Sequence, residues 1–486
     1  MNLALSLLYA AERHPEREAL ADHGLRLSYA ELRERAARLA RGLSELGVQR
    51  GGRVAAVLDN RRETAELAWA CWWLGASFVP ISYRLADADV EYCIGDSGAS
   101  VVARAPEAVV TLAGASFDEL LGADEHPGAL DLDEREEAIV LYTSGTTGRP
   151  KGVPRSHRAD RAGALSQALQ HGYRFGDRTL GVMPLYHTMG MHSLLAMHVV
   201  GGCFVVQARW HAEEALRLIE EERLTSLYLA PTLFHDLVSH PRREEHDLSS
   251  VDSVCYAGAA MTGALVGRCA AVFHPRVFVN HYGSTEVYTF SVHRDQRAKP
   301  GCAGRASINA RLRLVRPEAD AGPGDLVAPG EDGQIVCHLG SDEAFEGYWQ
   351  RPDADAKAIR EGWYLTGDLG RLDAEGDLWI VGRVDDMIVS GGENIHPLEI
   401  EDVLSRHPLV QEVAVVGSPD ERWGQRVVAY VVAAEGLTAG ELDAHCLASE
   451  TLARFKRPRE YRFVSELPKS PAGKLLRRVL RQEVPA

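Results

Sequence analysis

The stretch Tyr142-Thr143-Ser144-Gly145-Thr146-Thr147-Gly148-Arg149-Pro150-Lys151-Gly152 decides how the rest of the chain is read. It directly follows the apolar run Ala138 to Leu141, which has the length and composition of a buried strand. Small residues at such a strand end let backbone N–H groups approach phosphate oxygens. Thr143, Ser144, Thr146 and Thr147 add hydroxyl donors, and Lys151 adds a positive charge. A Walker A loop ends in Gly-Lys-Ser/Thr, and here Pro150-Lys151-Gly152 stands instead, so this is a phosphate loop of another kind. Clusters of Gly, Ser and Thr after strands are often plain turns. The length of this one, and the lysine that closes it, favour a cradle for phosphate.

Outward from the loop, strand and helix patterns alternate. Ser28-Tyr29-Ala30-Glu31 reads as a capping box, and Leu32, Ala36, Leu39, Leu43 and Leu46 follow along one helical face until Gly47 stops it. Val54 to Leu58 is a short buried strand, Arg62 to Gly75 is helical, and Phe78 to Ile81 is extended. Further apolar runs recur at Val101-Val102, Thr179 to Met183, Cys203 to Gln207, Ser226 to Ala230, Ser253 to Tyr256 and Val277 to Asn280, with helical patterns between most of them. The expected fold is therefore α/β: a large N-terminal domain, residues 1–382, of mostly parallel sheets covered by helices. After Gly382 the pattern changes to a compact unit with strands at Met387 to Val389, Val413 to Val416 and Val427 to Val432 and a helix from Pro397 to Arg406. Residues 383–486 are read as a small mobile C-terminal α+β domain, joined by a hinge rather than a tether.

Bulk properties exclude several function classes. A net charge of −16 over 486 residues argues against a nucleic-acid partner, because nothing would offset phosphate repulsion across a broad surface. The eight cysteines form no C-x-x-C pair and sit in apolar stretches, which suits reduced, buried thiols, and no H-E-x-x-H supports a zinc site. The N-terminus lacks a basic leader, and the apolar run Leu194 to Val206 is broken by His198 and too short to span a bilayer. A soluble cytoplasmic protein without a membrane partner is the expectation.

Further segments fall into place around the loop. Met183-Pro184-Leu185-Tyr186-His187, Asn280-His281-Tyr282-Gly283-Ser284-Thr285-Glu286, Tyr364-Leu365-Thr366-Gly367-Asp368, Gly382-Arg383 and Pro471-Ala472-Gly473-Lys474 follow in that order. With the phosphate loop they resemble, over nearly the whole chain, the adenylate-forming superfamily of acyl-CoA ligases, peptide-synthetase adenylation domains and luciferases. Within it, the stretches Met183 to His187, Gly382 to Ile388, Ser390 to Pro397, Arg422 to Gln425 and Phe455 to Pro458 are most similar to aryl-CoA ligases of the 4-chlorobenzoate type.

The resemblance implies an ATP-dependent carboxylate–CoA ligase that works through an acyl-adenylate. Mg2+ needs hard oxygen ligands, and Glu286 with Thr146 is the expected pair. Tyr282 offers a face to adenine, with Gly283, Ser284 and Thr285 beside it. Asp368 suits the ribose hydroxyls, Arg383 bridges ribose and phosphate, and Lys474 stabilises the α-phosphate during attack. Leu365 stands where many members carry arginine, which leaves no polar contact at that position. The resemblance also makes Asp385 the hinge and lines the thiol approach with Ser390 to Asn394, where Gly391 and Gly392 admit a pantetheine arm.

Coenzyme A is the expected acceptor. Arg454, Lys456, Arg457, Arg459 and Arg462 make a basic cluster around Phe455 in an otherwise acidic chain, and Trp423 offers a ring for stacking. A solvated basic surface is the competing reading of those arginines. The absence of an aspartate in Met183 to Gly190 speaks against an α-amino acid substrate. The chain ends shortly after Lys474, so any acceptor is expected to be separate. The acid pocket is expected between His187, Ala257-Gly258-Ala259, His281, Gly283 and Tyr288, for an aromatic acid of benzoate or cinnamate type. His187 either meets the carboxylate or gates the pocket, with a packed neutral histidine as the competing reading. A medium-chain aliphatic acid, or delivery to a separate carrier protein, is the alternative. A silent nucleotide-binding regulator fits less well with intact Glu286 and Lys474. A homodimer is a further expectation.

Overall fold

In the computed structural model, which describes residues 1–105, 109–128, 131–143, 149–318, 320–469 and 475–482, the apolar runs form two large sheets. The first orders its seven strands Ala115–Ser116, Thr111–Leu112, Val101–Arg104, Arg53–Val57, Ser77–Pro80, Glu137–Thr143 and Lys151–Ser156. The second orders nine: Arg305–Ala306, Ser291–His293, Val277–Tyr282, Ser253–Tyr256, Ser226–Leu229, Arg178–Gly181, Cys203–Val206, Glu18–Asp22 and Leu25–Ser28. Inner neighbours run parallel in both, and antiparallel partners close the edges. That is the arrangement expected of strands linked through helices.

Local chemistry explains where the elements start and stop. Ser28 caps the helix Tyr29–Glu45 with both halves of the capping box formed, a device worth about 1 kcal/mol. Helix Arg62–Leu74 ends on Gly75 in the left-handed region. It is buried nearly all round because it lies between the sheets. The Trp72 indole N–H donates to the Ala138 carbonyl oxygen at 3.0 Å, in the seven-stranded sheet. Trp69 stacks on His198, whose Nε2–H donates at 2.9 Å to the Ala19 carbonyl oxygen in the nine-stranded sheet.

A third sheet did not stand out in the sequence. Leu312–Val315, Gly333–His338, Trp363–Leu372 and Ile359–Arg360 pair antiparallel, and Leu378–Arg383 joins along Trp363–Leu372. Only one short helix, Pro352–Ala358, stands between its strands, and buried and exposed residues do not alternate regularly along Trp363–Leu372, so no strand–helix alternation marks the sheet. The eight cysteines are all free and buried. Among the described residues no helix is long and apolar enough to cross a membrane.

Past Arg383, a smaller five-stranded sheet orders Glu393–Ile395, Ile388–Ser390, Gly424–Ala433 and Val410–Asp420, with Glu460–Phe463 parallel to Gly424–Ala433. Helices Pro397–Ser405 and Ala439–Ala448 cover it over a core of its own that includes Ile388, Ile400, Leu404, Val415 and Leu442. Asp332, in the large unit, accepts from Arg371 at 2.7 Å and lies 3.0 Å from His396 Nε2 at the start of this unit. Burial opposes ionisation of Asp332, but His396 and Arg371 outweigh it and hold its pKa down to about 2. Asp332→Asn removes that charge. Protease cleavage within 383–396 should then rise several-fold without a change in circular dichroism, whereas an unchanged rate would mean the contact does not hold the unit.

Candidate active site

The site forms where the strands of both large sheets end and the antiparallel sheet meets them. Glu137–Thr143 and Lys151–Ser156 are the arms of a hairpin, and Thr143 lies opposite Lys151 in register. Ser144, Gly145, Thr146, Thr147 and Gly148, which complete the loop, lie outside the described residues, as does Lys474.

Val277–Tyr282 runs parallel to Ser253–Tyr256, so both release their following loops at the same edge. The turn after Val277–Tyr282 is tight: a Cβ on Gly283 would stand 1.7 Å from the Tyr288 carbonyl oxygen. Ser284 Oγ accepts from the backbone N–H groups of Glu286 and Val287, each at 3.2 Å, and the Ser284 N–H donates to the Val287 carbonyl oxygen. Arg155 Nη1 donates to the Thr285 carbonyl oxygen at 2.8 Å. Glu286 is buried, and its Oε1 accepts from the Tyr348 hydroxyl at 2.6 Å. The Lys151 ammonium lies 4.0 Å from the centre of the Tyr348 ring. Partial burial pushes the Lys151 pKa down, against the pull of Glu286. Burial, reinforced by the Glu286 charge, pushes the Tyr348 hydroxyl up, so it stays a donor.

Asp368 is gripped from two sides. Its Oδ2 accepts from the Tyr282 hydroxyl at 2.6 Å and its Oδ1 from Arg383 Nη1 at 2.7 Å, while its own N–H donates to Thr366 Oγ1 at 3.0 Å. Tyr282, expected as a face for adenine, is thus also a clamp on the expected ribose partner, with its ring tilted on Phe290. Leu365 packs on Val315, Val336 and Trp363.

On the acid side, His187 precedes helix Thr188–Val199 and packs its ring 4.8 Å from Tyr186. Ala257 is buried, while Gly258, at φ +86°, and Ala259 are exposed. His281 and Tyr288 belong to a buried polar network. His281 Nε2–H donates to the Tyr288 carbonyl oxygen at 3.2 Å, and its Nδ1 lies 3.0 Å from His171 Nε2. Burial brings the His281 pKa down to about 4, so both rings of this pair are held neutral. The Tyr288 hydroxyl donates to Gln167 Oε1 at 2.5 Å.

In the smaller unit, Gly391 and Gly392 take φ of +62° and +87°. A Cβ on Gly391 would stand 2.7 Å from the Trp423 ring, which is exposed and carries the Arg422 guanidinium over its face. Asp385 is exposed in the short turn Val384–Asp386. The basic cluster is largely neutralised: Lys456 pairs with Glu399, Arg457 with Asp443 and Arg462 with Glu460. Arg454, Phe455 and Arg459 are exposed. Sequence reasoning missed Tyr348, which reaches Glu286 from a segment without a motif. It also missed Arg155, although strand alternation sets that charge on the face of buried Val153.

Residues 7–349 match the AMP-binding enzyme family, and residues 399–474 match the AMP-binding enzyme C-terminal domain. The chain belongs to this family of adenylate-forming enzymes. It is 37% identical to a 4-chlorobenzoate–CoA ligase of an Arthrobacter species, over 99% of this chain and 95% of that one. It is 34% identical to a feruloyl-CoA synthase of an Amycolatopsis species, over 97% of each. An anthranilate CoA ligase, AuaEII, solved in complex with anthranoyl-AMP, superposes with a TM-score of 0.91 at 26% identity, over 99% of this chain and 97% of that one.

Gly283→Ala drives a methyl group into the Tyr288 carbonyl and should lower the unfolding temperature sharply. Ser284→Ala loses only the two turn bonds and should stay within a few degrees of the parent; equal losses would mean that the turn is not sterically closed.

Proposed function

We propose that this chain joins an aromatic carboxylic acid of benzoate or cinnamate type to coenzyme A, using ATP and Mg2+ and passing through an acyl-adenylate. The observation that carries the reading is the convergence of two held carboxylates and one ammonium where the three sheets of the large unit meet. Glu286 is fixed by Tyr348, Asp368 is fixed by Tyr282 and Arg383, and Lys151 stands over the Tyr348 ring. Relatives acting on ferulate, 4-chlorobenzoate and anthranilate support the acid class.

The chemistry brings anions together. A carboxylate oxygen of the acid attacks the α-phosphorus of ATP and pyrophosphate leaves. The coenzyme A sulfur then attacks the acyl carbon, AMP leaves, and the thiol proton passes to solvent. Bound Mg2+ would supply charge neutralisation on the phosphates. Glu286, with one oxygen held by Tyr348 and lone pairs to spare, fits a hard cation, with Thr146 as its expected companion. Asp368 holds the ribose, and Arg383, which ends the strand opposite it, bridges to phosphate. Thr143, Ser144, Gly145, Thr147, Gly148 and Lys151 cradle the phosphates, and Lys474 steadies the α-phosphate. Residues 383–486 act as a mobile domain turning about Asp385. Trp423, Gly391, Gly392, Phe455, Arg457 and Arg459 receive coenzyme A. His187, Ala257, Gly258, Ala259, His281 and Tyr288 line the acid pocket. A cytoplasmic homodimer completes the reading.

A panel of acids with ATP, Mg2+ and coenzyme A, read by mass spectrometry, should give aryl-CoA products ahead of aliphatic ones. Medium-chain aliphatic acids well ahead of every aryl acid would sink the substrate class. Lys474→Ala should lower ATP–pyrophosphate exchange at least a hundredfold, about 3 kcal/mol of barrier, and spare thioester formation from a supplied acyl-adenylate. Equal loss of both steps would deny Lys474 that role. Trp423→Ala should raise the coenzyme A requirement and leave exchange alone; a large loss of exchange would contradict its assignment.

A further inference from the structure

The Glu286 turn is supported from below by charges that the proposed reaction does not itself use. The side chains of Arg155 and Asp160 are both wholly buried, and Arg155 Nε donates to Asp160 Oδ1 at 2.5 Å. The same guanidinium donates through Nη1 to the Thr285 carbonyl oxygen, one residue before Glu286. A planar fork with two fixed acceptors sets both the position and the plane of the Thr285–Glu286 peptide, which a lysine ammonium could not do. Asp160 Oδ1 also lies 3.3 Å from His192 Nε2, and His192 Nδ1 lies 3.0 Å from the Thr188 carbonyl oxygen and 3.3 Å from the Thr188 hydroxyl. The His192 ring in turn stacks on Tyr288 at 3.6 Å with 11° between planes.

We propose that Arg155, Asp160 and His192 are positioning residues that hold the Glu286 turn and the Tyr288 ring as one rigid unit, so that metal placement and acid placement share a single support. This rests on the reading of Glu286 as a Mg2+ ligand and Tyr288 as an acid-pocket wall. Two features show that the unit is built rather than incidental. Burying an ion pair costs desolvation that its mutual attraction seldom repays in stability, so such a pair is better accounted for by the geometry that it fixes. Helix His157–Gln170, which carries Asp160, also has glycine at 163, where a Cβ would stand 2.7 Å from His192 Nε2 and 2.9 Å from Tyr288 Cδ1. The strand Lys151–Ser156 thus brings both the loop lysine and the support of the Glu286 turn to the site.

The test is the Mg2+ dependence of ATP–pyrophosphate exchange in the full-length protein, with an aryl acid that the unaltered protein accepts. Arg155→Lys keeps the charge and loses the fork. Its half-saturating Mg2+ concentration should rise about tenfold or more, as for other residues that orient a metal ligand, while thioester formation from a supplied acyl-adenylate stays within about twofold. His192→Gln, which keeps a hydrogen-bond donor but loses the stacked ring, should raise the KM for the acid and the Mg2+ requirement together, and serves if Arg155→Lys does not fold. Unchanged Mg2+ dependence, or equal loss of both half-reactions with a lowered unfolding temperature, would overturn the proposal alone. No exchange by the unaltered protein with any acid would overturn the functional reading as well.

Discussion

A Cβ on Gly283 would come within 1.7 Å of the Tyr288 carbonyl oxygen, and that closeness is the constraint on which the site depends. The turn from 283 to 288 can only be this tight because its first residue has no side chain. Once closed, it sets Ser284 Oγ against two backbone N–H groups, turns the Thr285 carbonyl oxygen towards Arg155 and sends the Glu286 carboxylate to Tyr348. Tyr288, at the far end, returns to the His281 and His192 rings. The preceding strand fixes the other half of the site, since Tyr282 ends it and clamps Asp368. Residues with separate expected roles are therefore held by one short piece of backbone.

Much of this was legible in the sequence, and the reasons differ by element. The parallel sheets announced themselves through apolar runs separated by helical patterns, and the Ser28 capping box formed as read. The antiparallel sheet of residues 312–383 did not, because its strands are not regularly separated by helices and its longest, Trp363–Leu372, shows no steady alternation of buried and exposed residues. At the site, Glu286 and Asp368 stood out because they sit in motifs. Tyr348, which holds Glu286, did not, because its importance arises only from a contact across 62 positions of chain. Arg155 was within reach, since a charge on the inward face of a strand needs a buried partner, and Asp160 lies five residues on. The basic cluster near the C-terminus reads in sequence as free charge. In three dimensions Lys456, Arg457 and Arg462 already face carboxylates, which leaves Arg454 and Arg459 as its exposed members.

Among the described residues the smaller unit meets the larger one through few polar contacts. Asp332 to His396 is one. It sits on the partly exposed Asp332 carboxylate, and the exchange of such a contact costs little compared with parting an apolar interface. Each unit keeps its own hydrophobic core. This division suits a reaction in two halves, in which one set of held carboxylates serves a nucleotide throughout while a second surface changes partners.

In the proposed reaction an acid oxygen becomes bonded to the α-phosphorus of ATP. That step is tested most directly by supplying an aryl acid labelled with 18O in its carboxylate, with ATP, Mg2+ and coenzyme A, and weighing the nucleotide product. AMP should carry one 18O atom, because the bridging oxygen of the adenylate stays with AMP when sulfur takes the acyl group. Unlabelled AMP, or ADP with the label in inorganic phosphate, would contradict it.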